Sequence, residues 1–87
     1  MKCLCLIYGA SDIPVDATRI RPASEATTVR VRDGRVQVTE GPFAETADDL
    51  VGIQVLDCET VEDALARAVE VRAAAVEVRP EYVEEAA

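Results

Sequence analysis

Thr27-Thr28-Val29-Arg30-Val31-Arg32-Asp33-Gly34-Arg35-Val36-Gln37-Val38-Thr39-Glu40 carries the clearest local signal in the chain. Asp33-Gly34 between two β-branched runs reads as a two-residue hairpin loop, because a type I′ turn needs positive φ at both central positions. A loop fixed there sets the register: Arg32 faces Arg35, Val31 faces Val36, Arg30 faces Gln37, Val29 faces Val38 and Thr28 faces Thr39. The four valines then share one side, and Thr, Arg and Gln share the other. One side is expected in the core, and the other wet or lining a site. Gly41-Pro42-Phe43 ends the second strand, since proline cannot donate to a ladder.

Working outward, residues 3–8 (Cys-Leu-Cys-Leu-Ile-Tyr) are apolar on both alternating faces, which suits a central strand covered on both sides. Residues 51–56 alternate Val51, Ile53, Val55 with Gly52, Gln54, Leu56 and read as another strand. From Thr60 the period lengthens. Thr60-Val61-Glu62-Asp63 resembles a capping box, and Val61, Ala64, Leu65, Ala68 and Val69 form an apolar stripe. The helix is expected over about 60–73, followed by a strand at 75–79 with Val76 and Val78 inward, stopped by Pro80. Residues 10–26 are broken by Pro14 and Pro22, leaving room for one helical turn or a short extended piece around Thr18–Arg21. Thr46 is placed to cap a short turn through Asp48 and Asp49. This order predicts one α+β domain over 1–80, mostly antiparallel, with 81–87 as a mobile acidic tail.

The 87 residues carry a net charge of −8, which argues against nucleic-acid and anionic-membrane binding. Residues 1–39 hold six bases and four acids, and residues 40–87 three bases and thirteen acids. There is no histidine, which excludes imidazole general bases and His-containing metal sites. Cys3 and Cys5 share a strand face, Cys58 is remote, and no apolar run reaches signal or membrane length. The expectation is a cytoplasmic protein with reduced, structural thiols and no metal or other cofactor. The acids Asp57, Glu59, Glu62 and Asp63 lack the EF-hand spacing and glycine and read as a solvated face.

Ala26-Thr27-Thr28-Val29-Arg30, Arg32-Asp33-Gly34 and Thr39-Glu40-Gly41-Pro42-Phe43-Ala44-Glu45-Thr46 resemble the signature of the YCII-related, DGPF-domain family. Leu6-Ile7-Tyr8-Gly9, the strand and helix over 51–72, and Val76-Glu77-Val78-Arg79-Pro80 are similar to that family's first strand, last helix and last strand. The resemblance implies a ferredoxin-like unit that pairs into a dimeric α-β barrel, in proteins whose biochemical function is mostly unassigned. Glu40 stands where the family motif begins with Asp, and residues 10–26 are too short for the family's first helix and the strand after it, so this reads as a truncated member lacking that helix.

Three functions compete: a small-ligand-binding or regulatory module, a lyase- or isomerase-like enzyme, and a structural oligomer subunit. The family's proposed His–Asp proton transfer cannot carry over to a chain without His. An enzyme here would use carboxylates, with Glu40 and Glu45 as acid or base and Tyr8 or Arg30 as donor or oxyanion partner. Glu40 continues the face of Val36 and Val38, so its carboxylate is expected toward apolar surroundings, beside Arg30 as cationic partner. Tyr8 reads alternatively as a core aromatic and Phe43 as a core anchor; Arg30 and Phe43 are the candidate ligand-binding pair. A sheet of about five strands with one helix cannot cover a doubly apolar strand on both faces, so a homodimer or higher homo-oligomer is expected.

Overall fold

The computed structural model describes residues 1–83. Its strands are β1 (Lys2–Tyr8), β2 (Thr18–Arg19), β3 (Thr27–Arg32), β4 (Arg35–Glu40), β5 (Leu50–Asp57) and β6 (Ala75–Pro80). Among the described residues the α-helix is α1 (Val61–Val69), and Ala23–Glu25 makes a short 3₁₀ turn. The chain is a small α+β fold with antiparallel sheets. Strands β2-β5-β1-β6 form one sheet in that order, and β3-β4 form a separate two-stranded sheet. In the large sheet Cys3 pairs with Leu56 and Pro80, Cys5 with Gln54 and Val78, and Ile7 with Gly52 and Val76. A register shift follows at Ile7/Tyr8, where Tyr8 pairs with Leu50.

Alternation along β1 decides where the core lies. Cys3, Cys5 and Ile7 are buried on the side that faces α1, whose Ala64 is fully buried over Cys3, Cys5, Leu56 and Cys58. Val76 and Val78 of β6 pack against this cluster, as the sequence predicts. All three thiols are free and buried. Helix α1 starts at the expected capping box: Asp63 N–H donates to Thr60 Oγ1 and Thr60 N–H to the Asp63 carboxylate, each at 3.3 Å.

The proline-broken connector lies on the same side of the sheet as α1. Ile13 rests on Gly52, where an added Cβ would come 3.1 Å from Ile13 Cδ1. Beside it, the buried Gln54 donates from Nε2 to Asp16 Oδ1 at 2.8 Å. Residues 10–17 thus cover, without a helix, a face that α1 alone is too short to cover.

Three expectations are corrected. The hairpin keeps the predicted register, with Asp33 and Gly34 at φ 52° and 75°. However, it is not part of the main sheet, and its valines are between 61% and 69% exposed rather than in the core. The radius of gyration of 15.5 Å reflects this projection, against about 12 Å for a compact chain of this size. Strand β1 is central, as expected, and its own chain covers one of its two sides. Helix α1 ends at Val69 rather than near residue 73: Glu70 and Val71 N–H donate three residues back, and Arg72 takes φ 57°, a left-handed stop. Finally, Glu81 belongs to the sheet margin, not to a tail, since its N–H donates to Lys2 O and its carboxylate accepts from Lys2 N–H. Residues 84–87 of the expected tail lie outside the described residues.

Candidate functional site

The side of the sheet away from α1 carries Leu4 opposite Val55 and Leu6 opposite Ile53. Leu4 and Val55 are exposed and Leu6 and Ile53 half-buried, so an apolar strip runs along β1 and β5 with no protein over it. Glu77 and Arg79, paired to each other, flank it on β6. At one end of the strip the bulge turns Tyr8 into a cavity of about 340 Å³, which Thr46, Asp48, Val76 and Glu77 also line. Thr46 donates from Oγ1 to the Asp48 carbonyl at 2.6 Å, holding that loop in a tight turn. The wall is mostly apolar, and Tyr8, Thr46, Asp48 and Glu77 are its polar residues.

The loop after the hairpin is tied down at Gly41, which sits at φ 110°. Its N–H donates to Ala26 O and its carbonyl accepts from Thr28 Oγ1, both at 2.7 Å. Asp49 accepts the Ala23 N–H on both carboxylate oxygens at 3.3 Å. Between these anchors lies a second hollow of about 290 Å³, lined by Pro42, Glu45 and Asp49 among others. Glu45 therefore stands in a different hollow from Tyr8.

Glu40 does continue the valine face, opposite Thr27. Because that face is open, Glu40 is exposed, and the expected apolar surroundings are not there. Arg30 projects from the opposite face of the hairpin, and Glu40 has no ion pair among the described residues. Glu40, Glu45 and Tyr8 are thus not assembled into one acid–base constellation. Arg30 and Phe43 are brought together: the Arg30 guanidinium lies 4.9 Å from the centre of the Phe43 ring. Phe43 is 73% exposed and is not the core anchor expected of the chain's single phenylalanine. The four acids around α1's start belong to no cluster able to hold a metal ion among the described residues.

Sequence reading missed Asp48 and Glu77 beside Tyr8, and Arg32 and Arg35 beside Arg30. The first pair is brought in by long-range pairing that leaves no local mark. The second was visible in the hairpin register, as two like charges set opposite one another.

In the core, burial pushes the Cys5 thiol above its ordinary value, and the neighbouring Cys3 and Cys58 add to the effect. These thiols are packing groups rather than nucleophiles.

No protein-family model matches the chain. An uncharacterized protein of Rhizobium meliloti is 40% identical over 47 residues, which is 54% of this chain. The match spans 38% of that relative's length. No helix among the described residues is long and apolar enough to cross a membrane.

Proposed function

We propose that the protein is a small-ligand-binding or regulatory module that acts as a homodimer through the open face of its sheet. The observation that carries this reading is the apolar strip of Leu4, Leu6, Ile53 and Val55, which ends at the Tyr8 cavity. A second copy laid on the strip would bury it and deepen the cavity at its end. The order β2-β5-β1-β6, with α1 linking two strands that flank β1, supports a ferredoxin-like unit; its kinship with the YCII-related family and its pairing into an α-β barrel are proposed from the sequence resemblance and the open strip. The three free thiols suit a cytoplasmic, reducing setting. The ligand class that suits the cavity is a small molecule with an apolar body and a hydrogen-bond donor or amine for Asp48, Glu77 and the Tyr8 hydroxyl.

Sedimentation equilibrium at micromolar concentration tests the association. The expected mass is twice 9.4 kDa, falling to 9.4 kDa in Leu6→Glu. A wild-type protein that sediments at 9.4 kDa would overturn it. A ligand-observed NMR screen of small amines tests the cavity, with signals lost in Tyr8→Ala.

A further inference from the structure

The polar face of the β3–β4 hairpin is a second, separate feature. It carries Arg30, Arg32, Arg35 and Gln37, with Arg32 directly opposite Arg35 and Arg30 opposite Gln37. These three arginines are a third of all nine basic residues in a chain of net charge −8. None of them is in an ion pair among the described residues, where the pairs are Arg21–Glu25 and Arg79–Glu77. Like charges directly opposite one another destabilise a strand pair, and a two-stranded hairpin has little stability to spare. Among the described residues no carboxylate forms an ion pair that would relieve the repulsion. The four side chains instead line a hollow of about 290 Å³, together with Asp33 at the turn end and Val36.

We infer that this face binds the phosphoryl group of a small soluble ligand. The guanidinium fork matches two phosphate oxygens at once, and a doubly charged oxyanion between Arg32 and Arg35 converts their repulsion into attraction. Phe43 holds the Arg30 guanidinium by a cation–π contact, which reduces the side-chain freedom lost on binding. Asp33 opposes an anion at the turn end, so the phosphoryl group is held on the side of Arg32 and Arg35 that faces Arg30 and the Gln37 amide. A singly charged carboxylate neutralises the arginines less completely and binds more weakly. The inference is independent of the dimer and of the Tyr8 cavity, since it uses only the hairpin's polar side.

Titration of the ¹⁵N-labelled full chain with inorganic phosphate at constant ionic strength tests it. Saturable shifts are expected at the Nε–Hε signals of Arg30, Arg32 and Arg35, with acetate weaker by about tenfold. Arg35→Glu provides the internal carboxylate that pairs with Arg32. It should raise the melting temperature in phosphate-free buffer and remove both the shifts and the stabilisation by phosphate. Phosphate shifts no larger than those from sodium chloride, equal binding of acetate, or an undiminished response in Arg35→Glu would each overturn the proposal. Sedimentation with phosphatidic acid vesicles separates the two sources of a phosphoryl group. The protein should stay in the supernatant, and pelleting that Arg35→Glu abolishes would overturn a soluble ligand.

Discussion

Strand β1 and the β3–β4 hairpin are both antiparallel and both carry an apolar face, yet they are held by opposite means. β1 contacts partners about fifty and seventy residues away, has Cys3, Cys5 and Ile7 buried on the side of α1, and owes nothing to local turn chemistry. The hairpin owes almost everything to Asp33-Gly34 and buries none of its four valines. Local sequence can therefore dictate a conformation without supplying the burial that stabilises it, and burial can fix a strand whose neighbours no local pattern announces.

The contrast is sharpest in side-chain deletions. Ile7→Ala should cost about 2–5 kcal/mol in urea unfolding, because it empties a fully buried position on the central strand. Val36→Ala removes mainly solvent-facing surface and should cost less than about 1 kcal/mol. A loss at Val36 approaching that at Ile7 would show that the valine face is covered in solution.

Two glycines extend the comparison to the backbone. Gly9 at φ +61° would place an added Cβ 2.8 Å from Ala74 Cβ, so Gly9→Ala combines strain with a clash and should cost about 2–3 kcal/mol. Gly34 at φ +75° has open space around it, so Gly34→Val adds backbone strain alone, about 1–2 kcal/mol. An unchanged melting temperature in Gly34→Val would break the turn assignment. At the capping box, Thr60→Ala should cost about 1 kcal/mol, read by thermal unfolding.

The smallest expected effect is the response to alkaline pH. Burial holds the Cys5 thiol above its ordinary value of 9.0, so the folded state keeps its proton where the unfolded chain has lost it. Its contribution is complete below about pH 9 and declines as pH rises through the folded value. Cys5→Ala should flatten that part of the stability profile, and a wild-type profile already flat above pH 9 would remove the desolvation account.

Signals contained within a few residues were legible: the hairpin register, the Thr60–Asp63 capping box, and the inward Val76 and Val78. Alternation along β5 separates its two faces but not which one α1 covers. The covered face is that of Gly52, Gln54 and Leu56, less apolar than its reverse, because Ile13 fills the space over the glycine and Asp16 accepts from the amide. The end of α1 was missed because Val71 and Ala74 continue the apolar period past the left-handed Arg72. At the candidate sites, Tyr8, Arg30 and Phe43 could be singled out one at a time. Their neighbours Asp48 and Glu77 reach Tyr8 only through the long-range pairing of β1 with β5 and β6.

That long-range pairing also sets an order of events during synthesis. Hairpins close in about 1–10 μs, so β3 and β4 can pair as soon as Glu40 clears the ribosome. β1 emerges first and must wait for Leu50–Asp57 and then Ala75–Pro80, several seconds later at about 5–20 residues per second. Throughout that interval Cys-Leu-Cys-Leu-Ile-Tyr is an unpaired, uncharged, β-prone segment, the kind that nascent chains lose to aggregation or hand to a chaperone. The residue that opens this protein's sheet is thus the last to be secured, and its yield in cells should depend on translation speed between β1 and β6 more than on the stability of the finished fold.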